Sequence, residues 1–295
     1  MNLRIIHNPA AGRSGQGLFR SVLAGLATTD CRITVHHTEG LGHAGRLAAD
    51  AAVAVPAVDR LVVAGGDGTI NEVVNGWAEV EAPPPIAIVP IGTANVLATE
   101  IGLRIRKIDV LDTILRGEPT PISVGVVGDR RFVLMAGAGF DAHVVAGVDK
   151  ALKRRVGKLA YAVSFIQRLW SFKFPTYRVS IDGVGGDAAS VVVTNARRYA
   201  GPYVIAPDAD LRDGQLQVCR FLTPGRWAAV SGGVALFSNR LKVGPGFAIG
   251  VGRRIVIDGP LGDPVQVDGD IVATLPIEIT SLPGALKLVY PPTTL

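Results

Sequence analysis

Leu61-Val62-Val63-Ala64-Gly65-Gly66-Asp67-Gly68-Thr69-Ile70-Asn71-Glu72 decides how this chain is read. Four apolar residues form a short buried run. Three glycines and an aspartate follow. A helical pattern then takes over at Ile70, Val73, Val74 and Trp77. A strand that breaks into glycines and restarts as a helix points backbone N–H groups, and the positive end of the helix dipole, at one spot. That is an anion site, and glycine lets a phosphate approach the backbone closely. Asp67 is out of place beside an anion unless a cation such as Mg²⁺ sits between carboxylate and phosphates. A plain strand–turn–helix with Asp67 as helix cap is the simpler alternative, but a cap does not need glycines on both sides.

Working outward, strand-like runs alternate with helical ones. Leu3 to Asn8 reads as a strand before the glycine-rich loop Pro9 to Gly17, and a helix is expected over Leu18–Ala27. Cys31 to His36 is a second strand, followed by a helix from His43 to Ala54 with Thr38 near its start as a cap. Arg60 to Ala64 is the third strand. Pro85 to Pro90 is the fourth, running into Ile91-Gly92-Thr93-Ala94-Asn95 and a helix over Val96–Ile101. Loops at the ends of alternating strands and helices are the pattern of a doubly wound α/β domain, which binds ligands at those loops.

Gly65-Gly66-Asp67-Gly68-Thr69 resembles the nucleotide signature of the diacylglycerol kinase catalytic domain family, which includes sphingosine kinases, ceramide kinase and bacterial lipid kinases. Asn8-Pro9-Ala10-Ala11-Gly12 after the first strand and Pro90-Ile91-Gly92-Thr93-Ala94-Asn95 after the fourth resemble two further family features. The family often has Asp after that Asn, and here it is Val96. The resemblance implies that Asn8, Pro9, Ala10, Ala11, Gly12, Thr38, Gly65, Gly66, Asp67, Gly68, Thr69, Ile70, Asn71 and Thr93 bind ATP, with Asp67 organising Mg²⁺.

From Pro121 onward short β-like runs dominate and an antiparallel β domain is expected. The expected division is an α/β nucleotide-binding domain over 1–121 and a β-sandwich lipid-substrate domain over 122–285. By resemblance, residues 286–295 return to the first domain and the active site lies in the cleft between the two. One long amphipathic helix is expected over Ala142–Ser171. Lys150, Lys153, Arg154, Arg155 and Lys158 lie in its first half, and Trp170, Phe172 and Phe174 follow. Such a helix either packs on the sandwich or lies on an anionic membrane surface. A second helix is expected over Pro224–Leu241, with Thr223 as its cap.

Two acidic groups could carry chemistry in the second domain. By resemblance Asp210, Asp213 and the Gln215 carbonyl hold a structural Mg²⁺, against a solvated turn at Asp213-Gly214. Val267-Asp268-Gly269-Asp270 reads either as a hairpin turn or as the seat of a general base that accepts the proton of a lipid hydroxyl. The family has Asp-Gly-Glu there. Asp268 matches its first position and Asp270 replaces the Glu, so Asp268 is favoured as base with Asp270 retained.

The expected function is transfer of the γ-phosphoryl of ATP to a lipid hydroxyl such as that of diacylglycerol. An NAD kinase-like enzyme and an idle lipid- or nucleotide-binding protein are the alternatives. The 295 residues carry a net charge of +5, 48% hydrophobic content and two distant cysteines. These features suit a globular protein of a reducing compartment with an anionic ligand or surface as partner. No signal-like segment opens the sequence, and the longest charge-free run, Ala82–Thr99, is broken by prolines. A cytoplasmic protein is expected, with peripheral contact at the inner membrane face, no nucleic-acid partner, and self-association left open.

Overall fold

The computed structural model describes residues 1–12, 15–148 and 159–292. It divides into two compact units, Met1–Ile122 with Gly284–Leu295, and Ser123–Pro283.

The first unit opens with β1 (Asn2–His7), α1 (Gln16–Leu26), β2 (Arg32–His37) and α2 (His43–Ala52). It continues with β3 (Arg60–Gly65), α3 (Asp67–Gly76), β4 (Ile86–Pro90), α4 (Val96–Glu100) and α5 (Lys107–Arg116). The strands form a parallel sheet in the order β2-β1-β3-β4. β3 and β4 are buried almost throughout, so each reads as a continuous apolar run, whereas edge strand β2 alternates. Chain order reverses between β1 and β3, which makes the ends of those two strands the switch point where open α/β sheets bind ligands.

The helices are held by specific contacts. The α2 N-terminus is capped by Glu72, whose Oε2 accepts the Ala44 N–H at 3.2 Å, and its N-cap position is Gly42; Thr38 is not the cap. The Trp77 indole N–H donates to the Ala48 carbonyl at 2.7 Å. Arg60 donates to the Thr113, Ile114 and Gly117 carbonyls, closing the C-terminal end of α5 onto β3.

The second unit contains two antiparallel sheets, entered through β5 (Glu118–Val127), β6 (Arg130–Phe132), β7 (Met135–Gly139) and α6 (Phe140–Ala146). After α7 (Leu159–Ser171) come β8 (Tyr177–Ile181), β9 (Val184–Ala188), β10 (Ser190–Thr194), β11 (Arg198–Tyr199), β12 (Tyr203–Val204) and β13 (Leu216–Phe221). Then follow α8 (Arg226–Phe237), β14 (Phe247–Gly252), β15 (Arg254–Asp258), β16 (Pro264–Val267), β17 (Asp270–Thr274) and β18 (Ile277–Tyr290). One sheet has the order β14-β13-β10-β7-β16-β17; in the other, the first part of β18 pairs with β15, followed by β8 and β9. Val191, Val193, Val218 and Val265 of the first sheet share one core with Tyr177, Val179, Ile255, Ile257 and Ile279 of the second. This is a β-sandwich. The last part of β18 lies parallel to β4 within the first unit, Leu288 opposite Ile86.

Two helix expectations need correction. The helix expected over 142–171 ends at Ala146 with Gly147 as C-cap, and α7 resumes within the described residues at Leu159. Glycine supplies no side chain to hold a further turn. The basic residues Lys150 to Lys158 lie outside the described residues. The helix expected over 224–241 is two-thirds of that length, at Arg226–Phe237, and its N-cap is Gly225, not Thr223.

Candidate functional site

Three loops converge at the C-terminal ends of β1, β3 and β4. The Asn8 side chain joins the first to the second, its Nδ2 donating to Thr69 Oγ1 at 2.9 Å while its Oδ1 accepts the Ala10 N–H at 3.0 Å. The Ile91 N–H donates to the Gly65 carbonyl at 3.1 Å, joining the second to the third. Glycine is required where the loops cross. A Cβ on Gly92 would lie 2.5 Å from the Gly66 Cα, and one on Gly12, at φ +34°, would lie 2.2 Å from the Ile91 carbonyl oxygen.

Asp67 is the first residue of α3, but its carboxylate does not cap that helix. It reaches the start of α4, where Oδ2 accepts the Val96 N–H at 3.0 Å and Oδ1 the Leu97 N–H at 3.1 Å. The glycine-aspartate turn is thereby tied to the Gly92–Asn95 loop by charge-assisted bonds. Asn95, within the Gly92–Asn95 loop, is a further structural member of this centre. It is buried at φ +47° and donates to the Gly92 carbonyl at 3.0 Å, a left-handed position that asparagine tolerates.

The remaining nucleotide candidates flank this centre. Thr38 follows β2, its N–H bonded to the His7 carbonyl at 2.9 Å, and Thr93 is exposed in the loop after β4. Thr69, Ile70 and Asn71 are buried in the first turns of α3; Gly68 is exposed. Behind the first loop, His7 stacks on Phe19 and contacts Gln16 Oε1 at 2.8 Å, while Gln16 Nε2 holds the Ala11 carbonyl at 2.9 Å. Burial lowers the His7 pKa, which favours a neutral ring that accepts from His37 at 2.9 Å. The histidines thus support the loop, and among the described residues no group of three or more His, Cys, Asp or Glu is arranged to hold a metal.

In the second unit, Asp268 and Gly269 form a tight turn between β16 and β17, at φ +47° and +90°. Asp268 Oδ1 accepts the Leu134 and Met135 N–H groups at 3.0 and 2.9 Å, and Oδ2 accepts that of Val133 at 3.0 Å. Its carboxylate is therefore committed to the backbone ahead of β7. Asp270 stands at the exposed end of β17, and its carboxylate makes no hydrogen bond or ion pair among the described residues.

Residues 2–127 match the diacylglycerol kinase catalytic domain, and residues 135–290 match the YegS C-terminal NAD kinase beta sandwich-like domain. A diacylglycerol kinase of Bacillus subtilis (strain 168) is 33% identical over 224 residues, covering 73% of this chain and 72% of the relative. The chain belongs to the diacylglycerol kinase family. A Staphylococcus aureus diacylglycerol kinase is 32% identical, over 72% of this chain and 67% of the relative. A Pseudomonas putida protein named Probable lipid kinase YegS-like is 28% identical, over 92% of this chain and 90% of that one. A solved structure of a diacylglycerol kinase from Bacillus anthracis str. Sterne matches the fold with a TM-score of 0.76 at 21% identity, covering 100% of this chain and 98% of that one.

At the position expected to hold a metal, Asp210 faces an arginine. The carboxylate is held by Arg212, whose Nε lies 2.8 Å from Oδ1 and whose backbone N–H donates to the same oxygen at 2.9 Å. Arg212 accordingly lowers the Asp210 pKa. Asp213 and Gln215 are exposed, and the Asp213 N–H closes a turn onto the Asp210 carbonyl. The Asp210–Arg212 pair is partly exposed to solvent, and a cation at Asp210 would have to compete with the Arg212 guanidinium for the carboxylate. A cation beside Asp67 would share a carboxylate whose two oxygens already accept N–H groups from the start of α4.

Proposed function

We propose that this protein transfers the γ-phosphoryl group of ATP to the hydroxyl of a membrane lipid of the diacylglycerol type. The observation that carries the reading is the convergence of the Asn8–Gly12, Gly65–Asn71 and Gly92–Asn95 loops at the switch point of a parallel sheet, bridged by Asn8 and Asp67. Glycine backbone and helix N-termini there suit a polyphosphate. Mg²⁺ held near Asp67 would neutralise charge on the phosphates.

Asp270 is assigned the base in place of Asp268. Its carboxylate is exposed and uncommitted, while that of Asp268 is spent on three N–H groups. In the reaction the lipid oxygen forms a bond to the γ-phosphorus and the bond to the ADP oxygen breaks. The hydroxyl proton passes to Asp270.

The lipid acceptor lies in a membrane, and one surface of the second unit suits contact with it. Helix α8 buries only Leu236 among its residues, leaving Trp227 79% exposed, and Trp170 on α7 is 68% exposed with Arg226 4.9 Å above its ring. Arg226, at the start of α8, and Arg240 and Lys242, just after its end, are exposed basic residues whose charge complements an anionic bilayer. Among the described residues no helix is long and apolar enough to cross one.

The test is transfer from γ-labelled ATP with Mg²⁺ to lipid alcohols in mixed micelles, with NAD as a further acceptor. Labelled lipid is expected and labelled NAD is not. ATP binding without any labelled lipid would favour a binding protein, and labelled NAD would overturn the lipid reading.

A further inference from the structure

We infer that Asp141 and Gln266 form a buried brace that fixes the Asp268–Asp270 turn and so aims the Asp270 carboxylate. This inference rests on the proposed role of Asp270 as base.

Asp141 is the second residue of α6, and Gln266 lies on β16, 2% exposed. Gln266 Nε2 donates to Asp141 Oδ2 at 3.0 Å, and at its other end Gln266 Oε1 accepts the Gly269 N–H at 3.0 Å. The two bonds assign the amide in one sense only, because an N–H must meet an oxygen at each end. Asp141 Oδ1 is in turn bonded to the Tyr199 hydroxyl. A continuous line of hydrogen bonds thus runs from Tyr199 through Asp141 and Gln266 to the peptide N–H one residue before Asp270.

The neighbouring strand is shaped to admit the line. Gly137 on β7 stands opposite Gln266 in the sheet, and a Cβ there would fall 2.4 Å from Asp141 Oδ2 and 3.0 Å from Gln266 Nε2. Gln266 and Gly137 alternate with Val265, Val267, Ala136 and Ala138 of the sandwich core and so lie on the other face of their sheet, where holding a nearly fully buried amide costs free energy that an apolar side chain would not. Burial also pushes the Asp141 pKa upward, against hydrogen bonds from Tyr199 and Gln266 that lower it. The network ends at the turn that carries Asp270, and positioning that turn gives its cost a function.

The turn has two anchors of different kinds. The Asp268 carboxylate grips the backbone at Val133 to Met135, and Gln266 grips Gly269. Loss of Gln266 leaves the first anchor in place, so the turn should persist with Asp270 less closely held. A small displacement of a catalytic group can cost about 10²-fold in rate.

The experiment uses the full-length protein and lipid phosphorylation. Gln266→Met keeps length and apolar bulk while deleting both hydrogen bonds. We expect kcat to fall about 10- to 100-fold with the KM for ATP unchanged within about twofold. In an Asp270→Ala background, Gln266→Met should change the residual rate by less than about threefold, because the group it aims is gone. Asp141→Asn should retain most activity, since its amide oxygen can accept from Gln266 and its N–H can donate to the Tyr199 oxygen. Asp141→Leu should fall with Gln266→Met.

A native kcat in Gln266→Met, alongside a severely impaired Asp270→Ala, would overturn the brace and leave the base assignment standing. So would a full additional loss on adding Gln266→Met to Asp270→Ala, because a general structural defect multiplies in that way. Native activity in Asp270→Ala would overturn the base assignment itself, and the brace with it.

Discussion

The two turns that carry the acidic motifs use aspartate in the same architectural way and differ in what they add. Asp67 clasps two N–H groups at the start of α4, and Asp268 clasps three ahead of β7. Each carboxylate ties its turn to a segment distant in sequence. The first turn then continues into a helix N-terminus, whose backbone suits phosphate. The second is followed two residues on by an exposed carboxylate, Asp270, without a partner among the described residues. An aspartate within a motif can therefore serve to hold the frame of its turn.

Substitutions can break this comparison, beginning with the strongest. Asp270→Ala should lower kcat for lipid phosphorylation by about 10²- to 10⁴-fold, the usual contribution of a general base, with ATP affinity unchanged by calorimetry. A rate within threefold of native would remove Asp270 from the chemistry. Asp67→Ala should lower kcat/KM for ATP by about 10²-fold or more, because the Gly92–Asn95 loop loses its tie and the phosphates lose preorganised donors. Its distinguishing mark is weakened ATP binding, which Asp270→Ala should lack.

Asp268→Ala should act chiefly on stability. Leaving three partly buried N–H groups without their carboxylate should cost about 2–4 kcal/mol in chemical denaturation. An unchanged denaturation midpoint would show that the clasp is dispensable. The smallest effect should come from Arg212→Ala, which removes the guanidinium from the half-buried Asp210 carboxylate. Its loss should cost less than about 1 kcal/mol and fade with added salt. The Asp210 pKa is lowered on folding, so this contribution is present above the ordinary carboxylate value and is lost as pH falls through the lower folded one. Comparing urea midpoints for native protein and Arg212→Ala at neutral and strongly acid pH checks that sign.

The α/β-plus-sandwich class was legible because its signals are local. The runs Leu61–Ala64 and Ile86–Val89 are continuously apolar because both faces of those strands are buried. The loop candidates at Asn8, Gly65–Thr69 and Thr93 follow strand ends directly. What local pattern cannot carry is the pairing of distant groups. Asp67 meets α4 some 30 residues onward, and Asp268 meets Leu134 across 134 residues. Nothing near Asp141 marks it as the partner of Gln266, 125 residues away. Nor does local pattern show which face of α8 is covered: Trp227 and Val234 stand in the open.

The most direct test of the account is phosphate transfer from γ-labelled ATP to diacylglycerol by the native protein, with Asp270→Asn and Asp268→Asn beside it. The account predicts labelled phosphatidate from the native protein and at least about 10²-fold less from Asp270→Asn despite normal ATP binding. Asp268→Asn should lose less activity per folded molecule than Asp270→Asn. No labelled lipid from folded native protein that binds ATP, or equal rates for native protein and Asp270→Asn, would contradict it.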